Sequence, residues 1–236
     1  MIFTLLFVVA LAAFVGWWLA QQGLAAKPWL ETGAPGHVPD TGASPLPTAK
    51  IGLGVFLAVA GSLLVLLVSA YTMRMDMEDW RPLPWPRLLW VNTGVLVLSS
   101  VALHRARAAT RREGPDGVRP WLLVGGLAAV AFLVGQILAW KQLVAAGYRL
   151  ATNPADAFFY LITAVHGLHV LGGLVALGRT GAKLRRGAGM GELRLGVELC
   201  ATYWHFLLVV WIVLFGLLAY SPSFSWLYAI CTGSLG

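Results

Sequence analysis

Long apolar runs separated by short polar or Pro/Gly-rich segments organise this chain. A helix rising about 1.5 Å per residue needs roughly 20 apolar residues to cross a hydrocarbon core of about 30 Å. Six runs meet that length: Ile2 to Ala20, Ile51 to Tyr71, Leu88 to His104, Trp121 to Trp140, Ala157 to Leu177 and Val197 to Tyr220. Trp17 and Trp18 close the first run as an interface belt. No basic region precedes that run and no small-residue cleavage site follows it, so it reads as a retained helix and not a signal peptide. Pro82, Pro84 and Pro86 exclude a continuous helix between the second and third runs.

The pattern predicts an all-α integral membrane protein of six transmembrane helices. Residues 1–22 form an N-terminal helix, 23–49 a Pro/Gly-rich linker, 50–220 a five-helix bundle, and 221–236 an interfacial tail marked by Trp226 and Tyr228. Composition agrees, with 58% apolar and 11% charged residues, against about 25% charged in soluble domains.

The net charge of +7 changes the picture through its distribution. Lys27, Lys50, Arg105, Arg107, Arg111, Arg112, Arg119, Arg179, Lys183, Arg185, Arg186 and Arg194 fall after runs one, three and five. Only Arg74, Arg81, Arg87, Lys141 and Arg149 fall on the opposite side. Basic loops face the cytoplasm, so both termini are expected outside, and the charge implies no nucleic-acid partner. Cys200 reads as a small buried hydrophobe. Cys231 lies in the tail, and no disulfide between the two is expected.

Polar residues within the spans are costly and each needs a reason. They are Asn92, Gln136, His166, His169, Glu198, Thr202, Tyr203 and His205. Offsets of four and seven set Glu198, Thr202 and His205 along one stripe, with Arg194 one turn away as an available partner. His169 and His205 both lie roughly 12 Å from the inner ends of their helices, so their imidazoles could face each other if those helices are neighbours. Three readings follow: haem or copper ligation, hydrogen bonding across a helix interface, or the lining of a lipid groove or ion path. Phosphate-loop, HExxH, CxxC and GxSxG signatures are absent.

Longer motifs carry a resemblance. Tyr203-Trp204-His205-Phe206 followed by Val209-Val210-Trp211 and Phe215 is similar to the YWHFxDVVWxxxF signature of cytochrome c oxidase subunit III. Phe159-Tyr160-Leu161 with His166-Gly167-Leu168-His169-Val170 resembles the family's FYxLTGxHGxHV segment, and Asn92-Thr93 with Leu96, Ser99 and Ser100 resembles its LNTxxLLxSS pattern. Gln136 and Glu198 also fall where the family carries polar residues. Two positions depart: Ala60 stands where FLASEVMLF has its glutamate, and Leu208 where the family has an aspartate.

The resemblance runs from about Lys50 to Tyr220, leaving the first helix as an extra anchor. It implies an accessory subunit of a proton-pumping haem-copper oxidase in a bacterial cytoplasmic membrane, without a redox centre of its own. Haem and copper would sit in subunit I, the main partner, and copper in subunit II, with cytochrome c as the substrate of the complex. Phospholipid binding and support of proton uptake are implied as well. His166, His169, Glu198 and His205 would form the internal polar framework, Trp204 and Trp211 would anchor packing, and Arg105 and Arg179 would meet lipid phosphates. A quinol oxidase or nitric oxide reductase subunit, and a small bis-histidine membrane cytochrome, are the alternatives.

Overall fold

The computed structural model describes residues 47–219 except Asp76, Pro82, Pro84, Trp85, Glu113 and Thr152. The expected first helix, the linker and the tail with Cys231 lie outside the described residues. Within them are five helices long and apolar enough to cross a membrane: α1 (Thr48–Met75), α2 (Leu88–Arg112), α3 (Gly114–Ala145), α4 (Pro154–Arg185) and α5 (Met190–Ala219). The chain divides between Ala70 and Tyr71 into two compact units.

In the first unit, α1 is apolar along nearly its whole length. Its mid-helix Ser62 hydroxyl donates to the Ala58 carbonyl at 2.9 Å, which satisfies the side chain without a partner helix.

The second unit is a ring of helices in which α2 packs on α3, α3 on α4, α4 on α5, and α5 back on α2. Neighbours run antiparallel, because each connection is short. The α2–α3 seam is close. Ala102, Ala106 and Ala109 on α2 and Gly125, Ala128, Ala129 and Ala139 on α3 are all buried. In lipid, where apolar burial gives helices little drive to associate, small residues let backbones approach and make dispersion contacts. At Gly135 the approach is absolute: a Cβ there would fall on Asn92 Oδ1.

Every helix of this unit extends past its apolar run. Arg105, Arg107, Arg111 and Arg112 were expected in a loop, but α2 continues through all of them. Likewise α4 carries Arg179, Lys183 and Arg185, and α5 begins at Met190, before Arg194. Hydropathy marks where the bilayer core ends, while Ala and Arg are good helix formers on either side of that boundary. The helix ends are set locally. Asn153 caps α4 by accepting from the Ala155 amide at 3.3 Å, with Pro154 in the first turn. Gly147 (φ 93°) follows α3 and Gly187 (φ 71°) follows α4, and the left-handed backbone lets the amides of Tyr148 and Ala188 reach back to Leu143 and Lys183.

Trp80 and Arg81 lie at the end opposite the arginines. Tyr71, Trp80 and Phe158 pack ring on ring, with centroids 5.0 to 6.2 Å apart. Asn153 ties this segment to α4, its Nδ2 donating to the Arg81 carbonyl and its Oδ1 accepting from the Arg81 amide.

Candidate functional site

The polar side chains of the second unit converge on the seam between α2 and α5. Thr93, Ser100 and Arg107 recur at steps of seven along α2; Trp211 and Trp204, and again His205 and Glu198, recur at seven along α5. A seven-residue repeat keeps side chains on one helix face, so an antiparallel pair brings the two rows together in order. Trp211 Nε1 donates to Thr93 Oγ1 at 3.0 Å. Trp204 Nε1 donates to Ser99 Oγ at 2.8 Å. His205 Nδ1 lies 2.6 Å from Ser100 Oγ, and Arg107 Nη2 lies 2.9 Å from Glu198 Oε1.

The row grades from dry to wet. Trp204 and Trp211 are buried to 1% exposure or less, so their indole N–H groups need these acceptors. Glu198 and Arg107 retain 23% and 35% side-chain exposure. The sequence offered Arg194 as the partner of Glu198; the structure pairs it with Arg107, because Glu198 lies on the stripe facing α2 and Arg194 is exposed.

A second polar layer crosses the ring where all four helices meet. Asn92 Nδ2 on α2 reaches Gln136 Oε1 on α3 at 3.4 Å and the Phe132 carbonyl at 3.5 Å. His166 on α4 is buried, its ring 5.0 Å from that of Trp211 on α5 and 5.8 Å from that of Phe132. Phe132 and Trp211 meet edge to face at 5.0 Å. One turn along α4, Thr163 accepts from Trp140 Nε1 at 3.0 Å and donates to the Phe159 carbonyl at 2.7 Å.

His169 and His205 do not face each other. His205 turns to α2, against Ser100 and with its ring 5.6 Å from that of His104. His169 Nδ1 lies 2.8 Å from the Val165 carbonyl of its own helix, and its backbone carbonyl accepts from the Tyr203 hydroxyl at 3.0 Å. The depth estimate put the two at one level, but azimuth, which depth does not supply, separates them. Among the described residues, no three of His, Cys, Asp and Glu converge as a metal-ligand set.

Arg105 lies with its guanidinium carbon 5.7 Å from the Trp121 ring centre, joining α2 to α3. Arg179 is exposed at the same end of the unit. Two residues escaped the sequence reading. Asp156, in the first turn of α4, is 0% exposed, and among the described residues neither carboxylate oxygen has a hydrogen-bond partner; an acid next to an Asn-Pro cap reads as a solvated helix end. His104 was taken as the end of a span, whereas it lies beside His205. Cys200 is a free, buried thiol, 3.6 Å from Thr180 Oγ1.

Comparison with known proteins agrees with these motifs. Residues 55–223 match the family described as cytochrome c oxidase subunit III. Cytochrome c oxidase subunit 3 of Thermostichus vulcanus is 35% identical over 173 residues, covering 71% of this chain and 85% of the relative. The protein of the same name from Synechocystis sp. is 34% identical over 170 residues, covering 70% and 72%. The helices that carry the Trp204-His205 and His166-His169 motifs thus lie inside the matched region, and the chain belongs to the cytochrome c oxidase subunit III family.

Proposed function

We propose that this chain is the accessory subunit III of a proton-pumping haem-copper oxidase that oxidises cytochrome c and reduces O₂. Subunit I, which holds haems and copper, is its main partner, and subunit II with its copper belongs to the same complex; the chain itself carries no redox centre and no catalytic residue. The observation that supports this best is the use made of the signature residues. Trp204, His205 and Trp211 hydrogen-bond to α2, and the His166 ring packs on that of Trp211, so the signature side chains join helices, as suits a scaffold.

His166, His169, Glu198 and His205 form the internal polar framework of this reading, with Trp204 as its packing anchor. Arg105 and Arg179 hold phospholipid phosphates at the arginine-bearing end, supported by their shared end and exposure. Proton uptake by the complex is supported from the same side. The arginine-bearing end faces the cytoplasm of a bacterial inner membrane. The apolar run from Ile2 to Ala20 supplies a sixth span, and both termini are periplasmic.

The test is a mild-detergent pull-down from the native membrane, with a reduced-minus-oxidised spectrum and O₂ uptake on reduced cytochrome c. Co-purified a-type haem, copper and cytochrome c-driven uptake are expected. Uptake with quinol alone, or nitric oxide consumption, would move the chain to a sister enzyme. Recovery without any haem protein would overturn the reading.

A further inference from the structure

The core layer shared by α2, α3, α4 and α5 leaves hydrogen-bonding capacity unused. Gln136 and His166 are each 3% exposed. Gln136 Oε1 accepts from Asn92, but among the described residues Gln136 Nε2 and both ring nitrogens of His166 have no hydrogen-bond partner. Unpaired polar atoms at such depth cost several kcal/mol each in a bilayer, where no bulk solvent can reach them.

The register of α3 against α4 puts these atoms at one level. Trp140 reaches Thr163, and Phe132 meets His166. Gln136 stands one turn from Trp140 and one turn from Phe132, on the same face of α3. It therefore lies opposite the stretch of α4 between Thr163 and His166. The valences also match. A carboxamide nitrogen only donates, whereas a neutral imidazole, the form a buried ring without a counter-ion takes, has one acceptor nitrogen. Gln136 Nε2 and His166 make no direct bond.

We propose that the protein binds an ordered water molecule between the Gln136 carboxamide and the His166 imidazole. The water accepts a hydrogen bond from Gln136 Nε2 and donates one to the imidazole acceptor, linking α3 to α4 and, through Asn92, to α2. A metal cation is disfavoured, because the amide N–H groups would face it. Buried waters of this kind join two to four polar partners and persist as part of the structure.

The experiment uses the intact complex in lipid nanodiscs, imaged by electron cryomicroscopy at about 2 Å, a spacing that separates a water from its hydrogen-bonded neighbours. A density peak within hydrogen-bonding distance of both Gln136 Nε2 and a His166 nitrogen is expected. Absence of the peak, or a direct Gln136–His166 contact, would overturn the proposal. X-ray hydroxyl-radical labelling supplies a second readout, since a bound water generates radical in place. Oxidation of Trp211 and Phe132 should fall several-fold in Gln136→Leu while labelling of solvent-exposed Met77 stays unchanged. Equal oxidation of Trp211 and Phe132 in both proteins would overturn it too.

Discussion

Trp204 on α5 donates its indole N–H to the Ser99 hydroxyl on α2 at 2.8 Å, and Ser99 passes its own proton on to the Gly125 carbonyl of α3 at 2.7 Å. Three helices are joined through one hydroxyl that is 0% exposed. Trp204→Phe keeps most of the ring but removes the donor, and should cost about 1 kcal/mol. Trp204→Ala opens a cavity and should cost on the order of 3 kcal/mol. Unfolding in mixed detergent–SDS micelles measures both. Equal losses for the two would show that the ring area contributes little and the hydrogen bond dominates.

Close backbone approach makes two glycines irreplaceable and leaves others free. A Cβ at Gly135 meets Asn92 Oδ1, and one at Gly173 lies 2.8 Å from Trp204 Cζ3, whereas Gly172 faces open space. Gly135→Ala and Gly173→Ala should each destabilise by about 1–3 kcal/mol through overpacking. Gly172→Ala should be neutral or slightly stabilising, as alanine favours helix. The same micelle titration, run on all three, distinguishes packing from propensity.

Asp156 is buried, with both oxygens unpartnered among the described residues. Its position in the first turn of α4 recovers about 0.3–1 kcal/mol from the helix dipole. An unsatisfied buried group costs about 1–3 kcal/mol, so the penalty outweighs the benefit. Asp156→Ala should therefore raise the unfolding midpoint of the isolated subunit. A lowered midpoint would mean that the carboxyl has a partner in the membrane.

The Arg107–Glu198 pair is partly exposed, and solvent screening limits such pairs to roughly 1 kcal/mol or less. In a double-mutant cycle of Arg107→Gln and Glu198→Gln, the double variant should be close in stability to either single one. Additive losses would show that the two charges act independently.

At the other end, Arg74 chelates Asp79 with contacts of 2.7 and 2.5 Å. The hydrogen bonds from Arg74 hold the Asp79 carboxyl below its ordinary range. A depressed folded-state pKa gives a contribution that is present above the unfolded value of about 3.9 and lost as pH falls through the folded one. Arg74→Gln should flatten that part of the acid limb. A pH titration of thermal stability below pH 5 checks the sign, and a steeper limb in the variant would contradict it.

Much of the bundle is legible in the apolar runs because bilayer thickness imposes a length on each span. The helix ends are not. Arg105 through Arg112 look like a loop to a hydropathy argument, yet nothing in their backbone chemistry stops a helix. In the sequence, His166, Glu198, Trp204 and His205 stand out as polar or aromatic groups within apolar runs. Their partners do not. Arg194, four residues from Glu198, is visible along the chain. Arg107, which takes the contact, becomes a neighbour only through the α2–α5 register. Asp156 was missed because burial of a first-turn acid is set by tertiary packing, which its own local sequence does not show.

The seven-residue ladder between α2 and α5 also constrains how the protein is made. Ser100 and His205 stand 105 positions apart, so α2 must reside in the membrane through the synthesis of two further helices before its row of hydroxyls and Arg107 finds a match. Until α5 arrives, those groups are open to any polar segment nearby, including a chaperone or an insertase. A chain truncated before Met190 would leave Thr93 and Ser100 without Trp211 and His205, and Arg107 without Glu198.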